Sequence, residues 1–245
     1  MKKLVLAIAS TFILATTLFA PSAYADEPVA DNLVSFNAAL TSDYRFRGMS
    51  QSRLDPAVSG GVDYTHNPSG FYAGAWASSI KWVKDGGGDG NLELDVYGGK
   101  RGEIVKNVTY DFGVLTYVYP GNDLRPNGNT TEAYAQLGYG PAYIKYSSSV
   151  TNLFGFEDSK NSTYWNVGTN IDLASGYILN LHAGHQTVKN NASFSYTDWK
   201  IGVTRDFGIV TASIAVIGTN NDNYRGPDQQ NLGKTGAVAT ISKTF

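Results

Sequence analysis

The residues from Leu33 to Gln51 alternate between apolar and polar side chains, and this alternation constrains the fold strongly. The row from Val34 to Phe46 is apolar except for Ser42, and the row from Ser35 to Arg47 is polar except for Ala39. Because successive side chains of a strand point to opposite faces, the pattern predicts a strand with one apolar and one polar face. Strands of soluble sandwiches are usually about five or six residues long. The predicted strand, residues 33–48, is longer, as expected for a tilted strand that crosses a bilayer.

The N-terminus has the pattern of a secretory signal peptide. Lys2 and Lys3 precede an apolar run, which closes with the small-residue motif Ala23-Tyr24-Ala25. A positively charged start, an apolar centre and an A-x-A site are typical of a cleaved leader. The sequence therefore predicts cleavage after Ala25 and export from the cytoplasm.

The composition excludes several classes of protein. The chain contains no cysteine, which rules out disulfide bonds, a lipoprotein anchor and cysteine-ligated zinc. Loss of Lys2 and Lys3 with the leader changes the net charge from −2 to −4, and without a basic tract nucleic-acid binding is not expected. After residue 25 there is no apolar run long enough for a transmembrane helix. Alternating segments rich in glycine and aromatic residues instead indicate a transmembrane β-barrel.

The alternating segments continue to the C-terminus and number about twelve. The predicted fold is all-β: a transmembrane antiparallel up-and-down barrel of about 12 strands, with both termini in the periplasm. The predicted domains are a signal peptide (1–25), a short periplasmic lead (26–32) and the barrel (33–245). Short turns alternate with long polar loops, which are expected to be extracellular; residues 101–107 are an exception, being long for a turn. The predicted strands cover residues 33–48, 57–64, 71–83, 92–100, 108–119, 130–139, 142–151, 162–173, 177–188, 196–207, 209–219 and 232–245.

Aromatic residues near the strand ends predict two interfacial girdles. The girdle at the loop ends would contain Tyr44, Phe46, Trp82, Trp165 and Trp199, and the other Tyr64, Tyr110, Tyr139, Tyr177 and Phe207. On the third strand Tyr72, Trp76, Ile80 and Trp82 are expected to face lipid. The terminal Phe245 resembles the C-terminal signal that the outer-membrane barrel assembly machinery recognises, although Lys243 departs from the usual pattern.

Charged and polar side chains on the inward faces are candidates for a pore lining or constriction. Arg45 and Arg47 are expected at the same level as Glu93 and Asp95, where groups of opposite sign can create a transverse field. Alternatively, these residues are structural pairs that satisfy one another in a narrow lumen. The candidates are Asp43, Arg45, Arg47, Glu93, Asp95, Glu132, Lys145, His182, Asp198 and Lys200.

Several motifs resemble the TorF-type putative porin family of proteobacteria. They are SDYRFRGMSQ (42–51), PAVSGGVDY (56–64), GFYAGAWASS (70–79), LELDVYGG (92–99) and VYPG (118–121), and they cover roughly the first half of the chain after the leader. The resemblance implies an outer-membrane pore and hints at a link to nitrogen nutrition. It does not supply a substrate.

The sequence thus predicts an outer-membrane channel for passive diffusion of small hydrophilic solutes, surrounded by lipid and lipopolysaccharide and without enzymatic activity, cofactor or metal. One alternative is a closed barrel whose long loops bind a surface partner or stabilise the envelope. Another is a lipid-modifying enzyme built on His66 and Ser69, but a spacing of three places strand residues on opposite faces, so no contact is expected. Asp85, Asp89, Asn91 and Glu93 are an alternative calcium site, although a flexible loop also explains them.

Overall fold

Twelve of the alternating segments pair edge to edge and close into an antiparallel barrel. The computed structural model describes residues 30–245, so the predicted signal peptide lies outside the described residues. Each wall strand pairs with its neighbour in sequence, and the first pairs with the last to complete the ring. The wall strands are β1 (Asn32–Thr41), β4 (Ala57–His66), β5 (Phe71–Ser79), β6 (Leu92–Val105), β7 (Val108–Val118), β8 (Thr130–Tyr139), β9 (Ala142–Ser149), β10 (Thr163–Asp172), β11 (Tyr177–Thr187), β12 (Tyr196–Asp206), β13 (Thr211–Thr219) and β14 (Gly236–Thr244).

The remaining elements lie in the connections. β2 (Arg45–Phe46) and β3 (Met49–Ser50) form a two-stranded hairpin separate from the wall. The helix α1 spans Trp82–Asp85, and single 3₁₀ turns cover Ala174–Gly176 and Ala192–Phe194. No helix among residues 30–245 is long and apolar enough to cross a membrane.

The two faces of the wall differ in polarity, as the alternation predicts. The outer face carries exposed apolar side chains, among them Val167 (49% exposed), Ile201 (54%) and Ile214 (60%). Their sequence neighbours Asn166 and Lys200 line the interior instead. A continuous apolar surface around a closed barrel is stable against lipid rather than water. The prediction of a transmembrane twelve-stranded barrel is therefore confirmed.

The connections sort by length between the two ends of the barrel. Short turns and both described ends of the chain lie at one end, called here the turn end, where Phe36 and Phe245 exchange backbone hydrogen bonds of 2.8 and 3.1 Å. Six longer connections lie at the other end, called here the loop end. They cover residues 42–56, 80–91, 119–129, 150–162, 188–195 and 220–235. Which end faces the periplasm stays a prediction from the sequence.

The long connection predicted at residues 101–107 is wrong, because β6 continues to Val105. A register shift between Glu103 and Val105 takes up the extra residue, and β7 begins at Val108. Asn107 has a positive φ of 67°, which an asparagine tolerates in a tight turn. All the turn-end connections are thus short.

The first predicted strand is also too long. β1 ends at Thr41, and residues 42–56 leave the wall, with residues 43–48 inside the barrel. The alternation beyond Thr41 belongs to the β2–β3 hairpin, whose residues are mostly buried. The pattern correctly predicted extended backbone but not the change of direction, which depends on interior contacts described below.

The prediction that Tyr72, Trp76 and Ile80 face lipid is wrong. These side chains are buried, with exposures of 6%, 4% and 3%. The other face of β5 carries Phe71 and three alanines, so neither face is clearly polar, and the large side chains of Tyr72 and Trp76 fill the interior. Tyr44, Phe46 and Trp82 likewise belong to the interior packing rather than to a girdle. Trp165, Tyr139 and Phe207, by contrast, are exposed on the outside.

Candidate functional site in the barrel lumen

The β2–β3 hairpin projects into the lumen, with the residues Arg47-Gly48 at its tip. Arg45 pairs with Ser50 and Phe46 with Met49, which leaves a two-residue loop. Both loop residues have positive φ, 47° for Arg47 and 79° for Gly48. Positive φ at both positions is the type I′ geometry, whose twist matches that of paired strands. Because Arg47 is in this two-residue loop, its side chain extends past the ends of β2 and β3 towards the barrel wall.

Arg47 attaches the hairpin to the wall. Its guanidinium donates to both carboxylate oxygens of Glu132 on β8, at 3.0 and 2.6 Å, and to the side-chain oxygen of Gln186 on β11 at 2.6 Å. The guanidinium carbon also lies 4.1 Å from the centroid of the Tyr164 ring on β10. The planar fork of arginine suits this combination of bidentate pairing and stacking. One side chain therefore joins the hairpin to three wall strands.

Gly48 allows the hairpin tip to touch another part of the wall. A Cβ atom at this position would lie 2.6 Å from Cγ2 of Thr219 and 2.7 Å from Cβ of Asp198. Both distances are too short for carbon atoms in contact, and φ is positive as well. Only glycine fits here without displacing the tip from β12 and the end of β13.

The base of the hairpin is held by Asp43 and Arg45. The Asp43 carboxylate accepts hydrogen bonds of 2.5 Å from Nε of Arg45 and from Oγ of Ser50. Arg45 also donates to the backbone carbonyls of Leu232 and Lys234 in loop 220–235. These bonds stabilise the base of the hairpin internally and also connect it to loop 220–235.

Tyr44 points towards β5 and β6, away from the strands that Arg47 contacts. Its hydroxyl donates to Glu93 at 2.5 Å, and its ring packs edge-on against Trp76 with centroids 5.4 Å apart. Burial, followed by the nearby Glu93 carboxylate, raises the pKa of the Tyr44 hydroxyl well above its ordinary value. The hydroxyl therefore stays protonated and acts as the donor.

Packed aromatic side chains occupy the loop-end lumen on the Tyr44 side. α1 and loops 80–91, 119–129 and 150–162 contribute to this cluster, in which Val83 is fully buried. Edge-on ring pairs hold it together, for example Trp82 with Tyr119 at 4.8 Å. The cluster comprises Tyr44, Ala57, Trp76, Ile80, Val83, Leu115, Tyr117, Tyr119 and Tyr134, with Phe46, Trp82, Tyr97, Leu124 and Phe154 packed against it.

The alternative in which Arg45 and Arg47 pair with Glu93 and Asp95 does not occur. Arg45 binds Asp43 and Arg47 binds Glu132. Glu93 accepts from Tyr44, and no donor among the described residues reaches either carboxylate oxygen of Asp95. The four groups do not meet because the arginines are on the folded loop instead of on an extended β1.

A cavity of about 150 Å³ remains between the hairpin and the wall. Within it His182 lies 2.7 Å from Asp198, which also accepts a 2.8 Å hydrogen bond from Tyr164. Glu93 and Asp95 are not among the cavity residues. The other eight sequence-predicted candidates line it: Asp43, Arg45, Arg47, Glu132, Lys145, His182, Asp198 and Lys200. Their role in solute passage stays a prediction.

Sequence reasoning missed Gly48, Tyr164 and Gln186 as partners of this site. The Arg47-Gly48 pair within an alternating stretch is a hairpin signal, because glycine supplies the positive φ that such turns require. Tyr164 and Gln186 have no local signal, since each is defined only by its contact with a hairpin more than a hundred residues away.

The structure brings the residues of the alternative enzyme site together but separates those of the alternative calcium site. His66 Nδ1 and Ser69 Oγ lie 2.6 Å apart, so the expectation that they cannot touch is wrong. They meet because the turn after β4 reverses the chain, and Ser69 Oγ also accepts from the backbone N–H of Phe71 at 3.3 Å. The four candidate calcium ligands are dispersed: Asp85 pairs with Arg53, and Glu93 points to Tyr44. Among residues 30–245 no group of three or more metal-binding side chains is assembled.

The barrel has the fold of solved porins. The KdgM porin superposes with a TM-score of 0.55 at 4% identity, covering 86% of this chain and 97% of that one. The NanC porin superposes with a TM-score of 0.52 at 11% identity, covering 86% and 98%. At such identities the likeness concerns the fold alone.

The chain belongs to the family described as "Bacterial protein of unknown function (Gcw_chp)", which matches residues 25–245. This description does not carry the TorF name suggested by the motifs. No curated protein matches the chain by sequence.

Proposed function

We propose that this protein is an outer-membrane channel for passive diffusion of small hydrophilic solutes, narrowed at its loop end by the β2–β3 hairpin. The apolar outer surface suits a bilayer, and the porin fold is consistent with the outer membrane. The observation that carries the proposal is the polar cavity inside the barrel, which charged side chains line beside the hairpin tip. A barrel with a purely structural role does not require such a lining.

The hairpin gives the proposed channel its narrow part. Barrels of about eight strands are filled by side chains, whereas barrels of sixteen carry a wide aqueous channel. Twelve strands with an inserted hairpin lie between these extremes. Charged groups at a constriction discriminate among solutes by size and charge. The buried pair Arg47–Glu132 holds the hairpin tip against the wall and so sets the width of the constriction.

Liposome swelling tests the proposal. The protein, expressed with its own leader and purified from outer membranes, is reconstituted into liposomes and exposed to uncharged sugars of increasing size. Swelling should be rapid with pentoses and fall steeply with di- and trisaccharides, while protein-free liposomes stay inert. Folded, inserted protein that admits no pentose would refute diffusion.

A closed barrel that acts through its loops is the second candidate. The aromatic cluster and the hairpin favour it, because both occupy lumen that an open pore would leave free. It predicts no swelling with any solute, so the same experiment separates the two functions.

The link to nitrogen nutrition, suggested by the resemblance to TorF-type porins, adds a finer expectation. If nitrogen compounds are the solutes, glycine and urea should enter the liposomes faster than uncharged sugars or polyols of similar size. Equal rates would leave a channel without this preference.

A further inference from the structure

We propose that the lipid-facing surface at the turn end contains a binding site for the headgroup of an anionic phospholipid, with Arg205 on β12 as the main ligand of its phosphate. The proposal depends on the transmembrane placement of the barrel and on no property of its lumen. Arg205 lies in the outward row of β12, between Val203 and Phe207, and Phe207 is 56% exposed.

The outward rows of the twelve wall strands carry charge of one sign only. Each charged residue in these rows shares its row with exposed apolar side chains, such as Val96, Ile201 and Ile241. The carboxylates of the wall strands lie in the alternate, inward rows. The outward residues with a formal charge are Lys100, Arg205 and Lys243. Any anion that compensates them has to come from the surroundings of the barrel.

Each of these cations lies over an aromatic ring. The Nζ atom of Lys100 is 5.1 Å from the centroid of the Phe71 ring, and that of Lys243 is 5.5 Å from the centroid of the Phe245 ring. A ring attracts a cation through its quadrupole but does not neutralise it. Within residues 30–245 none of the three cations forms an ion pair with a carboxylate, whereas both arginines of the hairpin do.

Arg205 is held in place between two rings. Its guanidinium carbon lies 4.7 Å from the centroid of the Tyr177 ring and 5.0 Å from that of Phe207, and Nη1 donates a 2.9 Å hydrogen bond to the Tyr177 hydroxyl. The neighbouring Asp206 belongs to the inward row and accepts from the backbone N–H of Gly208 at 2.7 Å. No other acceptor among the described residues reaches the guanidinium, so most of its N–H donors are available to a ligand.

Lys243 is close enough to contact the same headgroup. Arg205 is the cross-strand neighbour of Ala212 on β13, and Ala212 is the neighbour of Ile241, two residues before Lys243. The two basic residues are therefore two strand intervals apart, about 10 Å at roughly 4.8 Å per strand. The small side chain of Ala212 leaves the surface between them open. Lys243 makes no hydrogen bond within the described chain, so its long side chain can turn towards the phosphate that Arg205 binds.

A phospholipid fits this surface better than a soluble anion does. Guanidinium groups pair with phosphate oxygens through two parallel N–H donors. Tyr177 and Phe207 belong to the turn-end aromatic girdle, and such rings mark the level at which headgroups lie. From Arg205 the outward row continues towards the membrane centre through Val203 to Ile201, which is 54% exposed. Acyl chains would cover this apolar row while the phosphate stays at the guanidinium.

Native mass spectrometry of the purified full-length protein in detergent tests the site. The matched probes are dioleoylphosphatidylglycerol and dioleoylphosphatidylcholine, which share their acyl chains, while the choline cancels the charge of the phosphate. We expect the protein to retain phosphatidylglycerol at least about fivefold more than phosphatidylcholine, because a basic residue near the membrane surface attracts anionic lipid by about this factor. Equal retention of the two lipids would overturn the proposal.

Variants assign the binding to Arg205. Arg205→Gln should lower the retention of phosphatidylglycerol about fivefold and leave that of phosphatidylcholine unchanged, and Arg205→Lys should fall between Arg205→Gln and the parent. The control is Arg225→Gln, which removes an exposed arginine at the loop end and should bind as the parent does. Undiminished retention by folded Arg205→Gln would contradict the assignment. If that variant does not fold, Lys243→Gln takes its place and should lower the retention by a smaller factor.

Glycerol 3-phosphate tests whether the acyl chains contribute. It offers a phosphate without chains, so at millimolar concentration it should not displace phosphatidylglycerol. Complete displacement would show a general phosphate site and overturn the assignment to a lipid. Lipid retention is measured without conduction, so a failure of the channel proposal leaves this result unaffected.

Discussion

Arg47 on the hairpin tip and Glu132 on β8 form a two-pronged ion pair, 85 residues apart in sequence, with both side chains almost fully buried. The pair fixes a loop inside a barrel that would otherwise have a wider lumen. Breaking a buried pair by removing one partner is strongly destabilising, because it leaves an uncompensated charge. The position of the hairpin therefore depends on both residues.

Arg47→Ala should widen the channel. Loss of the guanidinium removes the contacts of the hairpin with Glu132, Gln186 and Tyr164, so the tip should leave the wall. We expect single-channel conductance to rise at least about twofold. The channel should also discriminate less between anions and cations. Arg225→Ala is the control, since Arg225 is exposed and bonds within its own loop. A folded Arg47→Ala protein with unchanged conductance would show that the hairpin does not limit flow.

Gly48→Ala should displace the hairpin tip from the wall and thereby destabilise the barrel. The added methyl group collides with Thr219 and Asp198, and the positive φ adds backbone strain. Gly121→Ala is a matched control, because Gly121 also has a positive φ, of 67°, but open space around it. Samples of both variants are heated in SDS to increasing temperatures before electrophoresis. The folded band of Gly48→Ala should disappear at a lower temperature than that of Gly121→Ala. Equal unfolding temperatures would mean that the tip does not contact the wall as described.

Asp95→Asn should stabilise the barrel. Asp95 is 1% exposed, no described donor reaches its oxygens, and Glu93 lies on the same face two residues away. Removing an unpaired buried charge should raise the free energy of unfolding by about 1–3 kcal/mol. Urea unfolding of the protein in lipid vesicles measures this change.

Asp111→Asn provides the contrast. Asp111 is also buried, on the neighbouring strand β7, but accepts a 2.6 Å hydrogen bond from the Tyr72 hydroxyl. Its replacement should therefore lower the free energy of unfolding. Destabilisation by Asp95→Asn as well would contradict the view that Asp95 lacks a stabilising partner.

The strands could be predicted from the sequence because their signal is local. Alternation places β8 and β10 within a residue or two of their observed bounds, and it correctly orients Glu132, Lys145 and Lys200 towards the lumen. The lipid-facing belt follows from the same rule, as Ile201 shows.

Two features of the interior could not be predicted, for physical reasons. The hairpin at Arg47 alternates as β1 does, so the pattern alone cannot show that the chain leaves the wall at Thr41. The inward orientation of Trp76 was missed because both faces of β5 are apolar. Partners such as Arg47 and Glu132 depend on closure of the whole barrel, which no local pattern contains.

Single-channel recording in a planar bilayer tests the central claim most directly. The purified protein should insert and show discrete, small openings, and Arg47→Ala should show larger ones under the same salt gradient. Verified insertion with no openings in either protein would contradict the account, because the lumen would then be closed and the hairpin would not be its constriction.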